Sequence, residues 1–123
     1  MNEFYKEEIL EHYRNPQNFG KLSNFSHSSK IVNPFCGDKI EMYIYLQDGV
    51  ISAISFVAEG CAISIAAASL LTEYVEKKHL KELTVFSENT MLDLLNIEIS
   101  ETRKKCALLA YSAFKDALWG NIK

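Results

Sequence analysis

The feature that most restricts the possible folds of this chain is a pair of neighbouring β-rich stretches. Residues 39–46 alternate between polar and large aliphatic side chains, with the aliphatic ones at Ile40, Met42, Ile44 and Leu46. A period of two is typical of a strand with one buried face. The turn-forming sequence Gln-Asp-Gly at 47–49 leads into a second β-rich stretch at 50–58, so the pair predicts a β-hairpin. Ser29 to Val32 can add a short third strand.

Helical spacing dominates the rest of the chain. Glu3 to Arg14 is predicted as a helix that ends before Pro16, because proline disfavours helix in the residue before it. A second helix follows Cys61 and ends near residue 78, one or two short helices are expected within 80–95, and a last helix within about 100–119. The sequence therefore predicts an α+β fold, in which a small antiparallel sheet (hairpin plus one strand) is packed on one side by helices.

Size and composition indicate one globular domain over residues 1–123. Hydrophobic residues make up 48% and charged residues 24%, which argues against disorder. The net charge of −3 gives no basic footprint, so no nucleic-acid partner is expected. No apolar run approaches the roughly 18 residues that span a bilayer, and the N-terminal residues do not resemble a secretory signal. We expect no membrane association and a cytoplasmic location.

The chain contains three cysteines, which a reducing compartment would keep as free thiols. Each is either an apolar core residue or a chemically used group. Cys36 precedes the first hairpin strand and Cys61 follows the second, so both emerge at the open end of the hairpin. Cys61 also lies where a helix begins, and the unpaired N–H groups of a helix start favour a thiolate.

Cys106 is the hardest of the three to interpret. It lies on the apolar stripe of the last helix, with Leu109, Ala113 and Ala117, so a core role and a ligand role both stay open. Residues 103–105 are Arg-Lys-Lys in the expected first turn, where the helix dipole disfavours cations. These cations either offset negative charge at Cys106 or form a solvated basic face.

A carboxylate completes a candidate metal site, because Asp38 follows Cys36 by two residues in a turn. The candidate ligands are Cys36, Asp38, Cys61 and Cys106. Three soft sulfurs and one hard oxygen suit tetrahedral zinc or the iron of an iron–sulfur cluster. A permanent structural site would favour a fourth cysteine or a histidine, so the aspartate indicates a site that releases what it holds. None of the three histidines forms a recognisable catalytic group.

Four segments of the chain resemble the iron–sulfur cluster assembly scaffolds of the NifU/IscU/SufU type. They are YKEEILEHYRNPQNFG at 5–20, NPFCGD at 33–38, EGCAISIAAASLLTE at 59–73 and RKKCALL at 103–109. The resemblance covers almost the whole chain and implies the α+β sandwich of that family, with the ligands at one exposed end. It also implies that the ligands are Cys36, Asp38, Cys61 and Cys106.

The resemblance implies a non-enzymatic scaffold or carrier. Such a protein accepts sulfur from a cysteine desulfurase, assembles a [2Fe–2S] cluster on transiently bound iron, and passes it to apo iron–sulfur proteins or carrier proteins. Cys36 and Cys106 are both candidate persulfide acceptors. One alternative is a zinc-dependent sulfurtransferase of the SufU type that relays persulfide sulfur, with Zn²⁺ bound in the resting form. Another is a zinc-stabilised interaction module without sulfur traffic.

Features of two branches of this family occur together. IscU scaffolds usually have a histidine before the third cysteine, where this chain has Lys105. They also have a Leu-Pro-Pro-Val-Lys segment, where this chain has Ile-Ser-Glu-Thr-Arg at 99–103. The Arg103-x-x-Cys106 pattern resembles the SufU branch instead, whereas the short interval between Cys61 and Cys106 resembles the IscU branch.

Overall fold

The computed structural model describes residues 7–34 and 37–120. Its helices and strands are, in chain order, α1 (Glu7–Arg14), β1 (His27–Val32), β2 (Lys39–Gln47), β3 (Val50–Glu59), α2 (Ala62–Val75), a 3₁₀-helix (Leu80–Val85), α3 (Glu88–Leu95), α4 (Glu101–Lys115) and a π-helical turn (Asp116–Gly120). The predicted start of the first helix, at residues 3–6, lies outside the described residues.

The three strands form one antiparallel sheet in the order β1-β2-β3. The middle strand β2 has the predicted alternation, since Ile40, Met42 and Ile44 are fully buried, whereas Glu41 and Tyr43 on the other face are half-buried. The hairpin pairs Lys39 with Glu59 at its open end. The hydrophobic period of two therefore does set which face of the sheet lies on the core.

Helix α2 occupies the centre of the helical layer and contacts β3, α1, α3 and α4. Its three consecutive alanines, Ala66, Ala67 and Ala68, are all fully buried, because small side chains let neighbouring elements approach closely on every side. The predicted α+β architecture, with helices on one side of a small antiparallel sheet, is confirmed. In the described part of the chain no helix is long and apolar enough to cross a membrane.

One strand begins earlier than predicted, and capping side chains set the starts of two helices. The short strand predicted to start at Ser29 is β1, and it begins at His27, two residues earlier. Residues 80–95 contain a 3₁₀-helix and then α3, whose first turn is capped by the Ser87 hydroxyl accepting from the Thr90 N–H. Ser100 caps α4 in the same way, accepting from the Arg103 N–H. Such caps satisfy N–H groups that have no partner within the helix.

Candidate metal centre

The open end of the hairpin brings Asp38 next to the segment that leads to Cys61. Lys39 and Glu59 form the last pair of the β2–β3 ladder, so Asp38 and Gly60 are the next residues beyond it. A Cβ atom at Gly60 would lie only 2.8 Å from Cγ of Asp38, which shows how closely the carboxylate approaches this backbone. The antiparallel pairing predicted from sequence therefore places a carboxylate beside the residue that precedes Cys61.

The loop between β1 and β2 holds the backbone of Asp38 in place. The Asn33 N–H donates to the carbonyl of Asp38 at 2.8 Å, and the Gly37 N–H donates to the carbonyl of Asn33, also at 2.8 Å. Gly37 has φ +80°, a left-handed conformation that glycine adopts without strain. Cys36 lies outside the described residues, so its role as a ligand and as a persulfide acceptor stays a prediction.

Cys61 is the N-cap residue of α2, as the change from strand to helical spacing predicted. Its backbone is extended, with φ −76° and ψ 170°, and its carbonyl accepts from the Ile65 N–H at 3.2 Å. The thiol makes no capping hydrogen bond and is half-buried. The thiol therefore does not cap the first turn of the helix, and the positive end of the helix dipole lies beside it.

Cys106 reaches the same place from α4, which packs against α2. Its side chain is 6% exposed and belongs to the apolar core. Nevertheless, ligand atoms of Asp38, Cys61 and Cys106 all lie within 4.8 Å of one another. Cys106 is therefore a core residue that also lies beside the other two groups, and its role as a ligand stays a prediction.

Among the described residues this is the one such cluster of three or more histidine, cysteine or acidic side chains. The histidines contribute to other contacts. Nδ1 of His12 lies 2.6 Å from the Ser69 hydroxyl, which ties α1 to α2. His79 is half-buried, and its Nδ1 accepts from the Lys81 N–H to cap the 3₁₀-helix.

The spacing of the cluster fits a single ion after a small contraction. In a tetrahedral site with zinc–sulfur bonds of about 2.3 Å, neighbouring sulfurs lie about 3.8 Å apart. Separations of up to 4.8 Å therefore need each group to move by about 1 Å or less. Two thiols and a carboxylate suit zinc or iron better than magnesium or calcium, which take oxygen ligands.

Ser64 is part of the same cluster, although it was not among the predicted site residues. Its hydroxyl donates to Oδ2 of Asp38 at 2.6 Å, lies 3.6 Å from Sγ of Cys61, and lies 3.4 Å from the carbonyl oxygen of Cys106. The available signal was its spacing from Cys61, because a side chain at the third position of a helix points back towards the N-cap residue.

The charged residues near the cluster have partners of their own. Nζ of Lys104 lies 3.0 Å from Glu101, and Nζ of Lys39 lies 3.7 Å from Glu59. Glu101 is an acidic residue in the first turn of α4, so Lys104 there is explained as part of a solvated face. For Arg103 and Lys105, the offsetting of negative charge stays a prediction.

Replacing Gly60 by alanine is expected to weaken the cluster, because the new methyl would meet the carboxylate. The added Cβ would lie 3.0 Å from Oδ2 of Asp38, the oxygen that Ser64 holds. Forcing the carboxylate to move should lower the free energy of unfolding by about 1–3 kcal/mol, as overpacking usually does. Thermal unfolding of the metal-free protein measures this cost. In an Asp38→Ala background the cost should fall, because only the contact with Cβ of residue 38 at 3.1 Å remains, and an undiminished cost there would contradict the contact with the carboxylate.

Comparison with known proteins identifies the family. Residues 4–120 match the model of the NifU-like N-terminal domain. The chain belongs to the NifU-like N-terminal domain family. The resemblance seen in the sequence is therefore confirmed.

Relatives of this NifU-like domain carry the name of iron–sulfur cluster assembly scaffold proteins. The iron–sulfur cluster assembly scaffold protein IscU of Escherichia coli strain K12 is 32% identical over 118 residues, which cover 93% of this chain and 91% of that protein. The protein named iron–sulfur cluster assembly scaffold protein IscU 1 of Archaeoglobus fulgidus is 30% identical over 114 residues, covering 93% of this chain and 74% of that one.

Solved structures share the fold of this NifU-like domain. FiSufU, a protein of the SUF system from Fervidobacterium islandicum AW-1, superposes with a TM-score of 0.79 at 25% identity and covers 93% of this chain and 96% of its own. The N-terminal part of a NifU-like protein from Brucella abortus gives a TM-score of 0.78 at 20% identity, covering 92% and 90%. The second likeness concerns the fold alone.

Proposed function

We propose that this protein is a scaffold on which an iron–sulfur cluster is assembled and from which it is released. The observation that carries the proposal is the convergence of Asp38, Cys61 and Cys106, whose ligand atoms lie within 4.8 Å of one another. The family and the names of its relatives support the same role. The cargo is a [2Fe–2S] cluster, and Cys36 is the fourth ligand.

The donor set favours transient rather than permanent binding. Three thiolates are soft ligands that suit iron, and the carboxylate of Asp38 is the hard and weakly held member. Together the four anionic ligands exceed the double positive charge of Zn²⁺ or of an oxidised [2Fe–2S] core. Zn²⁺ fits the same ligands, and we expect it in the resting protein.

Sulfur reaches the scaffold by thiol exchange with a cysteine desulfurase. A thiolate of this chain, from Cys36 or Cys106, attacks the terminal sulfur of the enzyme's persulfide. A new S–S bond forms, the old one breaks, and the desulfurase thiolate leaves with its electron pair. The arriving sulfur is reduced to sulfide by electrons from ferrous iron and from excess thiol. Because Cys106 is 6% exposed, attack by its sulfur requires neighbouring side chains to move.

Anaerobic reconstitution tests the proposal. We expect that incubation with a cysteine desulfurase, excess cysteine and ferrous iron gives visible sulfur-to-iron charge-transfer absorption that elutes with this protein. A variant with Cys61 and Cys106 both changed to alanine should show none. The measurement is the absorption spectrum after gel filtration, together with the iron and sulfide content.

The same experiment separates the alternatives. Persulfide on the protein without visible absorption would contradict the scaffold proposal and support a zinc-dependent sulfur relay. If the protein shows neither persulfide nor colour and does not stimulate desulfurase turnover, the result supports an interaction module stabilised by metal. Recipients are tested by adding an apo iron–sulfur protein, which should take up the cluster.

A further inference from the structure

We infer that Ser64 is a positioning residue that holds Asp38 for metal binding and offsets part of its charge. The inference rests on the proposed function, because it concerns the ligand role of Asp38. Ser64 is 1% exposed and Asp38 is 7% exposed, so water has little access to either group. Their contact is therefore stronger than a surface hydrogen bond of the same length.

The single hydroxyl proton of Ser64 has three neighbours to choose between. Oδ2 of Asp38 is the nearest at 2.6 Å, compared with 3.4 Å to the carbonyl of Cys106 and 3.6 Å to Sγ of Cys61. An ionised carboxylate is also the strongest acceptor of the three. The proton is therefore given to Asp38.

The carboxylate is confined on a second side by Gly60. A Cβ atom there would lie 3.0 Å from the same Oδ2 atom, so this oxygen fits between the bare glycine backbone and the serine hydroxyl. With Oδ2 held in this way, the carboxylate is kept in one orientation beside the thiols of Cys61 and Cys106.

Ser64 also reduces the excess negative charge of the loaded site. A hydroxyl that donates to a metal-bound carboxylate disperses charge that the ion itself does not balance. Partners of this kind orient the ligand, and losing one typically lowers metal affinity about 10-fold to 100-fold. The described contacts of the Ser64 hydroxyl are with Asp38, with Sγ of Cys61 and with the carbonyl of Cys106, and not with a backbone N–H of α2, so a helix-capping role does not explain its place.

Metal titration of Ser64→Ala tests the inference. We expect its Zn²⁺ affinity, measured by competition with a chromophoric chelator, to fall about tenfold. The Co²⁺ form should show altered ligand-field absorption, because the oxygen ligand is displaced. In an Asp38→Ala background the same serine substitution should change Zn²⁺ affinity less than twofold, since its partner has been removed.

Ser69→Ala is the matched control. Ser69 is also a buried serine of α2, fully inaccessible, but its hydroxyl contacts His12 and the Gln17 N–H. Its loss should lower thermal stability without changing Zn²⁺ affinity or the Co²⁺ spectrum. An unchanged Zn²⁺ affinity of Ser64→Ala, or an equal loss with and without Asp38, would overturn the inference. If the unaltered protein binds neither ion, the inference fails, whereas the proposed function fails only if the reconstituted protein also shows no cluster absorption.

Discussion

Changing Cys106 to alanine is expected to lower Zn²⁺ affinity about a hundredfold. Structural zinc sites gain about 10–16 kcal/mol from four ligands, so one thiolate is worth about 3 kcal/mol, or about two factors of ten. The reason is specific to this place in α4, where the thiol lies within 4.8 Å of ligand atoms from Asp38 and Cys61. Competition titration of the purified variant against a chromophoric chelator measures the change.

Leu109→Ala separates metal binding from packing. Leu109 and Cys106 lie on the same apolar stripe of α4, and each is 6% exposed. Removing the leucine should cost about 2–5 kcal/mol of stability and leave Zn²⁺ affinity unchanged. If the leucine variant lost affinity as severely as the cysteine variant did, Cys106 would be only a core residue.

Asp38→Ala is expected to hold an assembled cluster longer and to transfer it at least tenfold more slowly. The carboxylate is one of two negative charges that a doubly positive core does not balance. Two like charges 4 Å apart repel by about 4 kcal/mol at an effective dielectric constant of 20. Relief of a third of this repulsion is enough to change the rate of cluster release about tenfold. Burial of Asp38, at 7% exposure, limits screening by water. The rate at which an apo iron–sulfur protein gains its absorption measures the transfer.

Asp38→Asn distinguishes charge from shape in that experiment. Asparagine keeps the size of the side chain and still offers an oxygen to the Ser64 hydroxyl, but it removes the charge. Transfer should therefore be slow in both variants. Faster cluster loss from the alanine variant would contradict the view that Asp38 is the ligand that promotes release.

The sequence was sufficient to predict the parts of the site that depend on local structure. Alternating aliphatic residues in 39–46 and the turn at 47–49 predicted the hairpin, and hairpin geometry brings the residues before β2 and after β3 together. The change of spacing after Gly60 predicted that Cys61 begins a helix, which it does. These features follow from periods of a few residues, which a single sequence displays directly.

The position of Cys106 could not be predicted from such periods. Its spacing on α4 fits an apolar stripe, and only the packing of α4 against α2 brings its sulfur near Cys61. Non-local packing depends on the crossing angle and rotation of both helices, and a stripe of apolar residues does not specify these. The family resemblance, rather than the pattern, indicated its role.

Ser64 was missed for a related reason. A serine in an otherwise apolar helix is usually a small buried residue, and Ser69 on the same helix is one that links α2 to α1 and to the loop after α1. What distinguishes Ser64 is the carboxylate that arrives from the β1–β2 loop. No local pattern records that approach.

The first coordination shell of the zinc-loaded protein tests the central claim most directly. For protein loaded with one zinc ion per chain, X-ray absorption at the zinc edge should show three sulfurs at about 2.3 Å and one oxygen at about 2.0–2.2 Å. That shell requires Cys36, Cys61, Cys106 and Asp38 to bind the same ion. Fewer than three sulfurs, or a shell made mainly of nitrogen and oxygen, would contradict the account.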